Sequence, residues 1–91
     1  MTNTSNNMFC TKLQEMLGDE AQGILAYNKM KNEMPSEHKS HIDTIEEFIA
    51  DEYKHLQGVY HMMKDMGCPI EKAEEIEAKL KAIVTEEDIG N

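Results

Sequence analysis

The fold is decided by residues 42–66, which read IDTIEEFIADEYKHLQGVYHMMKDM. Positions that can face a core recur here at steps of three and four residues: Ile42, Ile45, Ile49, Glu52, Leu56, Val59, Met63 and Met66. Such spacing places one side of an α-helix against a partner helix. The stretch therefore predicts a long amphipathic helix with Glu52 in the middle of its buried side.

A second stripe of the same kind runs through the first half of the chain. Its members are Leu13, Leu17, Glu20, Ile24 and Tyr27. A single carboxylate again takes a core position, where an ionised group is strongly destabilising unless a partner neutralises it. We therefore expect Glu20 and Glu52 to share a neutralising partner.

Proline and glycine divide the chain into three predicted helices. The first runs from about Met8 to Glu33 and ends before Pro35, and Ser36 is expected to cap the second. The second runs from about residue 37 to residue 66 and stops at Gly67, and proline opens the third. The resulting segments are a disordered start at 1–7, a helical hairpin at 8–66, a C-terminal helix at 67–84 and an acidic tail at 85–91.

The predicted fold class is all-α, a long antiparallel hairpin with a short C-terminal helix. A hairpin of two amphipathic helices leaves its core stripe uncovered, and the third helix is too short to cover all of it. Two-helix hairpins of this kind pair into four-helix bundles. We therefore expect a homodimer, or a higher homo-oligomer built from such dimers.

Composition restricts the partners that the chain can have. Of its 91 residues 18 are acidic and 9 are basic, which gives a net charge of −9. All the basic residues are lysine, so a nucleic-acid partner is not expected. The sequence contains neither a membrane-spanning apolar run nor a signal peptide, so we expect a cytoplasmic protein without a membrane partner.

The two cysteines, Cys10 and Cys68, do not have the spacing of a sulfur-ligated metal site. Both would lie near the same end of an antiparallel hairpin, so a disulfide is geometrically conceivable. A reducing cytosol keeps thiols free, and we expect two free thiols on that ground.

Metal ions are the partner that best suits the two buried carboxylates. Di-iron and di-manganese bundles use one Glu from each of two helices and a Glu-x-x-His from each of the other two. A two-fold dimer of this chain supplies that set from Glu20, Glu52 and His55. Glu20 lies 15 residues before Pro35 and Glu52 lies 17 after it, so the two are expected to be level in the hairpin. We predict that all three side chains are buried and face their counterparts in the partner.

At these residues the chain resembles a known group of proteins. Glu20-Ala21 with Ala26-Tyr27, followed by Asp51-Glu52-x-x-His55, resembles the first helix pair of rubrerythrins and other ferritin-like proteins. Its half length is similar to that of encapsulated ferritins, whose two-helix subunits build di-iron ferroxidase sites between monomers. The rubredoxin segment of rubrerythrins is missing. The C-terminal residues 86–91 do not look like an encapsulin-targeting peptide, although an encapsulin lumen or a virion would also be compatible locations.

The resemblance implies roles for individual residues. Glu20, Glu52 and His55 would be the metal-binding and catalytic residues, with iron as the metal and manganese or zinc as alternatives. Tyr27 would be hydrogen-bonded to a ligand. The implied activity is that of a ferroxidase-type oxidoreductase, which oxidises Fe(II) with oxygen or peroxide for iron handling or peroxide defence. The alternative is a non-enzymatic helical assembly protein, such as a viral or scaffold component; a zinc or manganese protein without redox chemistry is a third.

Overall fold

A computed structural model describes residues 4–84 of the chain, and side chains from residue 6 onward. It contains three α-helices: α1 at Thr4–Asn32, α2 at Ile42–Asp65 and α3 at Glu71–Ile83. A short 3-10 helix at Ser36–His41 joins α1 to α2. The described residues contain no strand, so the predicted all-α fold with one long hairpin is confirmed. No helix in this part of the chain has both the length and the apolar character needed to cross a membrane.

The first helix begins earlier than the sequence indicated. Residues 4–7 are already helical, so the predicted disorder at 1–7 is wrong for these four positions. Residues 1–3 and the predicted acidic tail at 85–91 lie outside the described residues. In this first part of α1 the Thr11 hydroxyl donates a hydrogen bond to the Asn7 carbonyl at 3.0 Å, one turn earlier.

The connection between α1 and α2 also differs from the prediction. Pro35 has extended backbone angles, φ −59° and ψ 147°, which end α1 as expected. Ser36 is the first residue of the 3-10 helix and Pro35 takes its N-cap position, so the predicted capping role of Ser36 is wrong. His38 departs from helical geometry, with φ −117° and ψ 16°. The α-helix therefore starts at Ile42, about one turn later than the sequence indicated.

The end of α2 is the predicted glycine stop. Gly67 has φ +75°, a left-handed conformation that favours glycine. The Cys68 amide donates a hydrogen bond to the Met63 carbonyl at 2.9 Å, and the Gly67 amide donates one to the Lys64 carbonyl at 3.2 Å. This pair of hydrogen bonds is a Schellman motif. Helix α3 then begins at Glu71 rather than at Pro69, because Ile70 is not helical.

Cys10 and Cys68 form a disulfide, which corrects the prediction of two free thiols. Their Cα atoms are 5.6 Å apart, within the range that a bridge requires. The geometry follows from the hairpin, which returns the end of α2 to the start of α1. The Schellman turn then places Cys68 against Cys10. The prediction of free thiols relied on the redox state of the cytosol, but the fold brings the two thiols within bonding distance.

The core lies between α1 and α2, and α3 extends it on one side. Its most deeply buried large side chains are Leu13, Leu17, Ile24, Ile49, Leu56, Met63 and Leu80. Each such side chain contributes roughly 1.5–3 kcal/mol relative to an exposed position. Ala21 and Tyr53 are also buried, and each directly follows one of the two predicted core glutamates. The core therefore runs beside Glu20 and Glu52, which are only half-buried.

Helix α3 covers one side of the hairpin. The Tyr53 hydroxyl donates a hydrogen bond to the Glu77 carboxylate of α3 at 3.0 Å. An apolar groove between α1 and α3 is lined by Gly18, Ala21, Gln22, Leu25, Ile76, Lys79, Leu80 and Ile83. We call the side of the hairpin that bears Gly18, Ala21 and Tyr53, and is covered by α3, the closed face.

Candidate metal centre

The three predicted ligands lie together in the structure. One ligand atom from each of Glu20, Glu52 and His55 can be chosen so that all lie within 4.8 Å of one another. The Nδ1 atom of His55 is 3.6 Å from Oε2 of Glu20. Two carboxylates and an imidazole at this spacing are a donor set suited to Fe, Mn, Co or Zn ions.

Helical geometry explains why the sequence brings these groups together. Glu52 and His55 are three residues apart on α2, so both project from nearly the same side of that helix. Helix α1 runs antiparallel to α2, and Glu20 reaches the same level from the opposite helix. The predicted match in depth between the two glutamates is thereby present in the structure.

The cluster is electrostatically unsatisfied as a metal-free site. The Oε2 atom of Glu20 is buried and accepts no hydrogen bond. The nearby Glu20 carboxyl raises the pKa of Glu52, first by sharing a proton with it, and burial and the Glu20 charge add to the rise. His55 acts in the opposite direction on the pKa of Glu52. Two facing carboxylates thus favour either a retained proton or a bound cation.

Two lysine ion pairs of the structure lie outside the cluster. Lys31 pairs with Glu46 at 3.7 Å, and Lys79 pairs with Glu75 at 3.9 Å. Neither pair includes a residue of the cluster. A buried carboxylate oxygen without a partner costs about 1–3 kcal/mol, and more when charged. A cation bound between Glu20, Glu52 and His55 would offset this cost.

The cluster opens to solvent rather than into the core of one chain. The side chain of His55 is 63% exposed, and that of Glu20 is 24% exposed. The predicted burial of all three side chains is therefore not met within a single subunit. A second molecule would have to cover the cluster to exclude water from it.

The surface around the cluster is apolar and has a seven-residue repeat. On α1 the repeat contains Phe9, Met16, Gly23 and Met30, and on α2 it contains Phe48, His55 and Met62. Their large apolar side chains are between 42% and 53% exposed. A seven-residue repeat keeps one side of a helix with a drift of only about 20° per repeat. We call this surface the open face.

Contacts between the helices show that the two repeats share one side of the hairpin. The rings of Tyr27 and Phe48 lie with their centroids 5.4 Å apart, and His55 approaches Glu20 nearby. On α1, Met16 and Gly18 are two residues apart and so differ by about 200° in direction. The same rotation separates Tyr53 from His55 on α2. The open face therefore points away from α3.

Tyr27 lies two turns after Glu20 on the same side of α1 and is not bonded to the cluster. Its ring packs against Phe48, and the printed sequence places it seven residues after Glu20. In the single subunit its hydroxyl makes no hydrogen bond to Glu20, Glu52 or His55 among the described residues. The role implied for Tyr27 stays a prediction that concerns the assembled protein.

Sequence reasoning missed two features of this site. The first is the apolar repeat of the open face, whose signal was the spacing of seven between Phe9, Met16 and Met30. The second is Gly23, where an added Cβ would lie 3.3 Å from Oε2 of Glu52. No local pattern indicated that contact, because it joins residues that are far apart in the chain.

Comparison of the chain with protein-family models, with curated proteins and with solved structures finds no match. The ligand cluster and the apolar surface around it are therefore the observations from which a function has to be derived.

Proposed function

We propose that this chain is a ferritin-like protein that pairs through its open face and binds two iron ions between the subunits. The pair would be a four-helix bundle in which α1 and α2 of each subunit face their counterparts. Helix α3 would lie on the outside of the bundle. Higher homo-oligomers of such dimers are compatible with the same interface.

The observation that carries the proposal is an incomplete ligand set in the middle of an exposed apolar surface. Iron, manganese and zinc sites need at least four ligands, and one subunit supplies three side chains, Glu20, Glu52 and His55. A two-fold partner doubles the set to four carboxylates and two imidazoles. The same partner would cover Met16, Phe48 and the other exposed apolar side chains of the open face. Dimerisation would therefore complete the ligand set and also bury the exposed apolar side chains of the open face.

Electrostatics favour a cation in this position. A bound cation would take the Oε2 atom of Glu20, which accepts no hydrogen bond, as a ligand, and it would compete with protonation of Glu52, whose pKa is raised by Glu20. Without metal, four carboxylates would approach one another across the interface and repel. We therefore expect dimerisation to be coupled to metal binding.

The activity that fits this donor set is oxidation of Fe(II) by oxygen or peroxide. Paired iron ions supply the two electrons that such an oxidant takes up. The protein's own contribution would be to hold Fe(II) with Glu20 and Glu52, to add the His55 imidazole, and to exclude bulk water with the apolar residues of the open face. Manganese or zinc could occupy the same ligands without this redox chemistry.

The disulfide bears on the compartment in which the protein works. Thiols stay reduced in the cytoplasm of most cells, whereas disulfides persist in oxidising compartments and on virion surfaces. The Cys10–Cys68 bridge therefore favours an oxidising location over the cytoplasm expected from the sequence. Blocking free thiols at the moment of lysis and counting the blocked cysteines by mass spectrometry tests this. A protein labelled on both cysteines would restore the cytoplasmic assignment.

Metal loading with a matched control tests the proposed function. The metal-free protein is titrated anaerobically with Fe(II), its size is followed by sedimentation, and Fe(III) formation is recorded after oxygen or peroxide is added. We expect about one ion per chain, a shift to dimer and rapid oxidation. The Glu20→Gln, Glu52→Gln double variant should lose all three. The control is Glu47→Gln, which changes an exposed acid on the same helix as Glu52 and should behave as wild type.

The proposal is wrong if wild type binds no metal, or if the double variant binds as much as wild type does. The apolar open face favours one alternative, a non-enzymatic assembly protein that pairs through Phe9, Met16 and Phe48 without metal. In that case wild type and the double variant would dimerise equally in the presence of a chelator, and neither would oxidise Fe(II).

A further inference from the structure

Gly23 on α1 lies directly opposite the carboxylate of Glu52 on α2. A Cβ atom added to Gly23 would be 3.3 Å from Oε2, 3.8 Å from Cδ and 3.9 Å from Cγ of Glu52. The Glu52 side chain therefore occupies the space that any other residue at position 23 would fill. Its carboxylate rests against the backbone of α1.

The other glycines of the two long helices do not have such a neighbour. An added Cβ at Gly18 or at Gly58 would meet nothing within 4 Å. Glycine in a helix interior lowers stability relative to alanine at either kind of position. Only at Gly23 does the absent side chain make room for another group, and that group is a predicted metal ligand.

The position of Gly23 on α1 explains what this room allows. Gly23 is three residues after Glu20, so the two lie on the same side of the helix one turn apart. Because Glu52 can approach α1 at Gly23, its carboxylate comes close to that of Glu20. The three ligand groups then lie within 4.8 Å of one another.

We infer that Gly23 is a positioning residue of the metal site, because it allows the Glu52 carboxylate to lie against α1 at ligand distance from Glu20 and His55. The inference rests on the proposed function and extends it to a residue that does not touch the metal. A methyl group at position 23 would make a contact tighter than ordinary van der Waals packing, so Glu52 would have to move. Ligand distances in metal sites tolerate only about 0.2 Å.

Gly23→Ala and its control Gly18→Ala separate this role from helix stability. In the metal-free protein, Gly18→Ala should raise the melting temperature by about 4–8 °C, through helix propensity alone. Gly23→Ala should raise it less, because the new methyl group presses on Glu52. When both are repeated in a Glu52→Ala background, the two substitutions should raise the melting temperature equally.

Titration with Co(II), a spectroscopic probe that oxygen does not consume, measures the consequence for the site. Gly18→Ala should keep the wild-type Co(II) affinity. Gly23→Ala should lower it about tenfold, the smaller of the losses typical when a residue that orients a ligand is changed. Its Co(II) absorption bands should also shift, since one ligand is displaced.

A rescue variant distinguishes this role from damage to the dimer interface. Glu52→Asp shortens the side chain by one methylene and withdraws the carboxylate from position 23. In a Glu52→Asp background, Gly23→Ala should cost little further Co(II) affinity. A clash with the partner subunit would instead cost the same in both backgrounds, and that result would overturn the inference, as would a wild-type affinity for Gly23→Ala.

Failure of the inference and failure of the proposed function give different results. If wild type binds no Co(II), the proposed function fails. The metal-free melting temperatures then decide the Gly23 inference alone: equal rises for Gly18→Ala and Gly23→Ala in the presence of Glu52 would reject it.

Discussion

The closed face and the open face of the hairpin differ in how their side chains are satisfied. On the closed face, α3 covers Ala21 and Tyr53, and the Tyr53 hydroxyl bonds to Glu77. On the open face, Met16 is 47% exposed and Oε2 of Glu20 has no hydrogen-bond partner. The two faces belong to the same pair of helices and point in nearly opposite directions.

This difference separates stability from function. Interactions of the closed face are complete within one chain, so they contribute to the stability of the monomer. Those of the open face are incomplete within one chain, and so they are the ones available for a partner and a metal ion. Four experiments test the distinction, and their expected effects decrease in the order given.

The disulfide should give the largest effect, because it fixes the end of the hairpin nearest to α3. Its loop spans 58 residues, and the chain-entropy relation then gives about 4 kcal/mol of stabilisation. We expect reductant to lower the free energy of unfolding by about that amount in urea titrations. The Cys10→Ser, Cys68→Ser variant should match the reduced protein and should not respond to reductant. Equal stability of the oxidised and reduced protein would show that α3 alone secures the closed face.

Leu17 and Met16 are neighbours in the chain, but Leu17 lies in the core and Met16 lies on the open face. Leu17 is fully buried, so Leu17→Ala should lower the free energy of unfolding by about 3 kcal/mol. Met16→Ala should change that of the metal-free monomer by less than about 0.5 kcal/mol. It should instead weaken metal-loaded dimerisation, measured by sedimentation at several protein concentrations. The comparison breaks if Met16→Ala destabilises the monomer as much as Leu17→Ala does.

Tyr53 and Tyr27 allow the same comparison for a hydroxyl group. Tyr53→Phe removes the hydrogen bond to Glu77 and should cost about 1 kcal/mol of unfolding free energy. Burial, followed by the Glu77 bond, raises the pKa of Tyr53 from 10.0 to about 12. A raised pKa means that the stabilisation is complete below pH 10.0 and is lost as the pH rises to about 12.

Urea titrations across that alkaline range should therefore show a loss of stability in wild type that Tyr53→Phe lacks. Tyr27→Phe is the control on the open face, and it should leave the stability of the metal-free monomer nearly unchanged. If Tyr27→Phe instead lowers metal affinity in the dimer, the predicted contact between Tyr27 and a ligand gains support.

The pH dependence of Glu52 should give the smallest effect. It differs from the others in that the substitution stabilises the metal-free protein. Because the Glu20 carboxyl raises the pKa of Glu52, Glu52 is protonated more readily in the folded metal-free protein than in the unfolded chain. Protonated Glu52 contributes its full stabilisation below the ordinary pKa of 4.5. This stabilisation is lost as the pH rises through the higher pKa that Glu52 has in the folded protein. Glu52→Gln should therefore stabilise the metal-free protein at neutral pH, and the gain should disappear in acid. An equal effect of Glu52→Gln at neutral and at acidic pH would contradict this expectation.

Much of the candidate site could be predicted, and the exceptions are instructive. The spacing of Glu20, Glu52 and His55 indicated their meeting because helical rotation and rise are fixed per residue. The sequence also placed both glutamates in the core, whereas the buried positions beside them are Ala21 and Tyr53. A spacing pattern with a period of 3.5 residues identifies the buried side of a helix only to within one residue. An error of one residue is enough to assign an interface position to the core.

The sequence is enough to predict the three helices, the break at Pro35, the glycine stop at Gly67 and the level match of the two glutamates. All of these follow from local backbone preferences or from counting residues along a regular helix. The sequence does not predict that Cys10 bonds to Cys68, that α3 covers the side bearing Tyr53, or that Glu52 lies against Gly23. These depend on distances between side chains remote in the chain, which are set by packing in three dimensions and not by any local pattern.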